Sequence, residues 1–170
     1  HYRDWAAHGF NYLKSHHLHP SGHYIWQHKK GVIEDGRAMA YGHAFVMLAA
    51  SYAARLNIDG AAPTLSSIWD FMEAYFWEAE HHAYADERDE SLSVLSNYRG
   101  QNANMHSLEA LIAAYETSGD ARYLYRAEEL AKNFCITLAG QAAGQIWEHY
   151  TENWQPDWNY NIDKPDDLFK

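Results

Sequence analysis

The sequence repeats an order of elements, and that repetition restricts the fold more than any single motif does. Between Ala38 and Asn57 the residues Tyr41, Phe45, Leu48 and Tyr52 recur at three- and four-residue steps, which puts them on one stripe of a helix. An earlier segment, Arg3 to Leu18, carries Trp5, Phe10, Tyr12 and Leu13 at helical spacing and stops at Pro20-Ser21-Gly22. Between the two, GHYIWQHKKGVIEDGR sets Tyr24 and Trp26 on one side of Lys29-Lys30-Gly31 and Val32 on the other, the pattern of a short hairpin. The order then begins again. Thr64 is a suitable N-cap for a helix bearing Ile68, Trp69, Met72 and Phe76; an extended HHAYADE stretch follows, and then the helix of YRGQNANMHSLEALIAAYE, Tyr98 to Glu116. His43 and His106 are 63 residues apart and Trp5 and Trp69 are 64 apart, so these pairs are expected to be equivalent.

A third unit starts at Asp120, runs through the helix DARYLYRAEELAKNFCITLAG to about Gly140, and continues into the extended GQIWEHY. Its second helix falls near or beyond Lys170. The expectation is an all-α fold of helical-hairpin repeats with short β-hairpins at one end, in which residues 1–170 form a single partial domain of a longer protein. Helix pairs of this kind bury their faces only against neighbours.

Composition narrows the partners. A formal charge of -10 speaks against nucleic acid or an anionic membrane, and no apolar run approaches a membrane span. The lone Cys135 excludes an internal disulfide and fits a reducing cytoplasm. Of the twelve histidines, His16, His17 and His19 sit beside Pro20, and His81 and His82 fall in another turn; their spacing matches no zinc signature, so no metal and no other cofactor is expected.

What calls for explanation is the concentration of polar groups at the head of the Tyr98–Glu116 helix. Asn102, His106 and Glu109 share one face by spacing, and Arg99 and Asn104 stand in the same run. One reading is structural: Asn102 caps the helix, Glu109 pairs with a cation and His106 is a satisfied core histidine. The other is a binding site for a polyhydroxylated ligand, because each hydroxyl of such a molecule both donates and accepts; Tyr41 and His43 of the preceding unit would join it, with Trp26 and Trp147 as stacking faces.

The runs YRGQNANMHSLEALIAAYE, DGRAMAYGHAFVMLAAS and IWEHYTENWQPDWNYNIDKPDDLF resemble the N-acylglucosamine 2-epimerase superfamily, most closely its mannose isomerase branch, and the likeness extends over essentially the whole chain. It implies part of an (α/α)6 barrel, with the sugar at one end among loops and short strands. It implies aldose–ketose interconversion of the mannose/fructose type through a cis-enediol, or in the epimerases inversion at C2, on a monosaccharide substrate and without a metal. His106 would be catalytic, since an imidazole can take and return a proton. Tyr41, Arg99, Asn102 and Asn104 would contact the sugar, and Glu109 would orient His106. The family's principal catalytic histidines are expected beyond DDLFK, and Lys170 stands where the family favours arginine. Oligomeric state is open, and a homo-oligomer is compatible.

Two other classes fit an α/α architecture. A glycoside hydrolase or lyase needs a carboxylic acid pair, for which Asp86, Glu87, Asp89 and Glu90 are the candidates, although that run reads first as a solvated face. A non-catalytic helical-repeat module would instead use an outer surface to bind protein.

Overall fold

A computed structural model of the chain describes residues 1–164. Helix α1 (Tyr2–Tyr12) continues through a π-helical turn, Leu13–His17. The hairpin β1 (Ile25–Lys29) and β2 (Val32–Met39) follows, its two-residue turn built on Lys30 and Gly31 at φ +51° and +83°. Both central residues lie in the left-handed region, the geometry that matches the strand twist and the reason for glycine at the second position. Helices α2 (Ala40–Arg55) and α3 (Ala61–Tyr75) come next, then four two-residue strands, β3 (Trp77–Glu78), β4 (Ala83–Tyr84), β5 (Glu87–Arg88) and β6 (Arg99–Gly100). Helix α4 (Gln101–Ser118) leads to α5 (Ala121–Lys132), a π-helical turn at Asn133–Leu138, the short α6 (Ala139–Gln141) and β7 (His149–Tyr150).

The helices form two layers. In the inner one α2 and α4 lie side by side with their N-termini at the same end: the Tyr41 and His106 rings meet near their heads, and Arg55 donates to Thr117 (2.8 Å) and Glu116 (2.8 Å) at their tails. In the outer layer α3 packs on α2 and α5 packs on α4. Asp120 caps α5, accepting from the Arg122 amide at 3.1 Å. The core is filled from Ala40, Ala44, Met47 and Ala50 of α2, Leu65, Ile68 and Met72 of α3, Ala110, Leu111 and Ala114 of α4, and Tyr123, Ala127 and Leu130 of α5. Alanine dominates the α2–α4 seam, which lets the two backbones approach closely.

Two expectations need correcting, and the structure adds the direction of the α2 stripe. Helix α3 begins at Ala61 after Gly60, and Thr64 is buried within it; Pro63 falls in the first turn, where an amide donor has no partner to lose. The stripe Tyr41, Phe45, Leu48, Tyr52, whose direction the spacing leaves open, borders the core, with Tyr41 and Leu48 half-buried against it. Phe45 and Tyr52 are exposed, because α2 turns its alanine face inward. The repeat is real, but its register differs. His43 accepts the Tyr24 amide on Nε2 (3.0 Å) and bonds Met39 O through Nδ1 (2.7 Å); Asn104 accepts the Tyr84 amide on Oδ1 (2.7 Å) and donates to Gly100 O (3.0 Å). His43 therefore corresponds to Asn104, 61 residues on, and Phe45 to His106.

Candidate active site

The strands gather at the end where the inner helices begin. β2 leads into α2 and pairs with β5; β6 leads into α4 and pairs with β7 in the same sense, Met39 opposite Glu87 and Gly100 opposite His149. Tyr41 and Asn102 occupy the second positions of α2 and α4, and His106 follows Asn102 by one turn.

The structure brings His106, Glu109 and Tyr41 together. His106 is half-buried and its Nδ1 lies 3.1 Å from Glu109 Oε2, on the face that the spacing assigned to both. The edge-on Tyr41 ring (5.2 Å) and Phe45 (4.7 Å) flank the imidazole, and Trp26 stands edge-on to Tyr41 at 6.0 Å. A hydrogen bond from Nδ1–H to Glu109 selects the tautomer in which Nε2 carries the lone pair. Asn102, one turn before His106, is exposed and is not a cap; its main-chain amide donates to Glu148 Oε1 at 3.2 Å. Along the same open side Leu48, Tyr52, Met105, Leu108, Glu109, Ile112, Ala113 and Glu116 line a shallow groove of about 350 Å³.

Arg99 and Asn104 have other partners. Arg99 is 3 % exposed; its guanidinium holds Glu78 in a two-pronged ion pair (2.6 and 2.7 Å) and donates to the carbonyls of Ser96 and Tyr98. Asn104 is 1 % exposed, and its amide is bonded to both main-chain groups of Tyr84 and to Gly100 O. His43 is a core histidine, its pKa lowered to about 4 by burial. Of the two tryptophans, Trp26 stands at the site, whereas Trp147 donates to Asp157 O and packs on Trp158.

The spacing of the sequence missed two carboxyl groups. Asp86, read as part of a solvated acidic run, is 9 % exposed and accepts the Gly100 amide at 2.7 Å; burial pushes its pKa up to about 8. Glu148 is half-buried, and burial raises its pKa too. The rest of the run is structural: Glu87 pairs with Arg37 (3.0 Å), and Asp89 accepts from Ser91 and the Val94 amide. Among the described residues no group of His, Cys, Asp and Glu side chains could hold a metal ion, and no helix is long and apolar enough to cross a membrane. Lys170 and DDLF lie outside the described residues.

A two-layered helical repeat whose inner helices present aromatic, amide and imidazole groups at their shared head is the plan of an α/α-barrel protein. Residues 1–170 match the N-acylglucosamine 2-epimerase (GlcNAc 2-epimerase) family over their whole length, and the chain belongs to that family. It is 41% identical over 170 residues to a D-mannose isomerase of Marinomonas mediterranea, covering 99% of this chain and 43% of that protein, and 36% identical over 134 residues to one of Thermobifida fusca, covering 79% and 33%. A crystal structure of D-mannose isomerase superposes with a TM-score of 0.96 at 41% identity over 99% of this chain and 44% of that one. The cellobiose 2-epimerase of Bacillus thermoamylovorans, 19% identical, shares the fold with a TM-score of 0.80 over 88% of this chain and 42% of its own. The chain thus spans less than half the length of these relatives, and its architecture is part of the (α/α)6 barrel.

Proposed function

We propose that the protein carrying this chain is a sugar isomerase that interconverts an aldose and a ketose of the mannose/fructose type by proton transfer through a cis-enediol. The chain would supply one wall of the pocket. His106 acts as an acid–base group on the C1–C2 unit of the open-chain sugar, Nε2 taking a proton while Glu109 steadies Nδ1. Tyr41 and Asn102 hold hydroxyls, with Trp26 and Phe45 closing the apolar side. Arg99 and Asn104, offered by the sequence as sugar contacts, serve in this reading to hold the framework beneath the site.

The observation that carries the proposal is the His106–Glu109 pair standing against Tyr41, next to Asn102, in a chain 41% identical across 99% of its length to a D-mannose isomerase. A solvated salt bridge would not need an aromatic enclosure. The lone, exposed Cys135 keeps a cytoplasmic setting within the same reading.

The test uses the protein in which this chain occurs. His106→Ala should lower mannose-to-fructose conversion by at least about a hundredfold, within the range for loss of a general acid–base group, with the fold intact by circular dichroism. Unchanged turnover and unchanged sugar affinity would remove the assignment. Incubation in deuterated water separates the isomerase from a 2-epimerase: an isomerase accumulates ketose, whereas an epimerase accumulates only the C2 epimer.

A further inference from the structure

We infer that Asp86 is a positioning residue for this site: it ties the heads of α2 and α4 together and thereby fixes where Tyr41 stands relative to Asn102 and His106. The inference rests on the function proposed above. Two bonds make the tie. The main-chain oxygen of Asp86 accepts from the amide of Ala40, the first residue of α2, at 2.8 Å. Its Oδ2 accepts from the amide of Gly100, the residue that opens α4, at 2.7 Å. Ala40 immediately precedes Tyr41, and Gly100 stands two residues before Asn102.

The joint has little slack. Asn104 grips both main-chain groups of Tyr84, two residues before Asp86, so the segment cannot slide along α4. A Cβ added at Gly100 would lie 2.7 Å from the Tyr98 hydroxyl, closer than real contacts allow, and 3.0 Å from Asp86 Oδ1, tighter than most, so the glycine leaves room for both groups beside the backbone. Helix α4 has no side-chain cap of its own. Its head instead receives Asp86 on the Gly100 amide, the Glu148 carbonyl on the Gln101 amide (2.9 Å) and the Glu148 carboxyl group on the Asn102 amide (3.2 Å). These are orphan donors that any helix start must satisfy, and here the acceptors come from the residues just ahead of β5 and β7.

Glu148 is the repeat equivalent of Asp86: each gives its carbonyl to the first residue of an inner helix and its carboxyl group to the head of α4. What singles out Asp86 is that it reaches across helices, binding α2 through its main chain and α4 through its side chain. Its carboxyl group abuts Gly100 and acts on substrate only through the groups it aligns.

Asp86→Ala, Asp86→Asn and His106→Ala variants of the protein carrying this chain test the idea. Asp86→Ala should lower kcat by at least about tenfold, the scale of loss when a reacting group is misaligned, with a smaller change in KM. Asp86→Asn, whose amide oxygen still accepts the Gly100 amide, should stay within about threefold of the parent. The ring ¹⁵N resonances of His106 should move in Asp86→Ala and return in Asp86→Asn, a change that a merely structural role would not produce. If Asp86→Ala fails to fold, Asp86→Ser, too short to reach Gly100, carries the same expectations. An alanine or serine variant with unchanged kcat and unmoved His106 resonances overturns the inference, as does an asparagine variant as impaired as the alanine one. Full activity in His106→Ala would instead sink the function reading, while the resonances would still decide the tie.

Discussion

His43 and Asn104 do the same work in successive repeats, each accepting a strand amide and bonding back to the residue four positions earlier, yet only the histidine can titrate. Burial lowers the imidazole pKa from 6.5 to about 4, so the native ring stays neutral where the unfolded one gains a proton. The unfolded chain therefore binds more protons between pH 6.5 and 4. The contribution is fully present above pH 6.5 and is lost as the pH falls toward 4, by about 3 kcal/mol over that window. His43→Asn copies the companion repeat and should remove this dependence. Because Asp86 titrates in the opposite sense over the same range, the comparison is made in an Asp86→Asn background: there urea midpoints at pH 7 and pH 4.5 should differ less with His43→Asn than without it, and an equal difference would exclude His43 as the source.

At the scale of elements, the Arg99–Glu78 pair links β6 to β3, with Trp154 Nε1–H donating to the same carboxylate at 2.8 Å. Burial alone would raise the Glu78 pKa; the bonds from Arg99 and Trp154 outweigh it and hold the group below its ordinary value. Arg99→Ala leaves a half-buried carboxylate without its cation and should cost about 3 kcal/mol in denaturant unfolding. A loss below about 0.5 kcal/mol would put Arg99 back among the surface cations. The pair also shows where the sequence was legible and where it was not. Helices α1, α2, α4 and α5 and the first hairpin follow from short-range spacing and are present; spacing also puts His106 and Glu109 on one face, and the structure adds the bond between them. Which face of α2 turns inward did not follow, because Tyr41–Phe45–Leu48–Tyr52 and Ala40–Ala44–Met47 are both apolar and periodicity cannot rank two apolar faces. Glu78, which pairs with Arg99, is 21 residues away, Tyr84, which Asn104 holds, is 20 away, and Ala40 and Glu148, which bond Asp86 and Asn102, are each 46 away, so no local pattern announced these contacts.

For the molecule as a whole, His43 and Asp86 pull in opposite directions along the pH axis. Burial raises the Asp86 pKa from 3.8 to about 8, with Glu87 and Glu148 adding to the rise and the Gly100 amide and Arg99 opposing it. Here the native state binds the extra proton, so this contribution is present at low pH and declines as the pH climbs from about 4 to 8. Between pH 4 and 6.5 the two titrations offset each other. Above 6.5 the histidine is neutral in both states, and Asp86 alone remains, removing about 2 kcal/mol between pH 6.5 and 8. The two residues sit one at each inner-helix head, so the loss concentrates where Tyr41, Asn102 and His106 are held. Asp86→Asn keeps an acceptor for the Gly100 amide and has no proton to lose, so its melting temperature should stay level from pH 6.5 to 8 while that of the parent falls. Parallel curves for the two proteins would show that Asp86 is already ionised at pH 6.5, with the carboxylate stabilised by the head of α4 more strongly than burial opposes it.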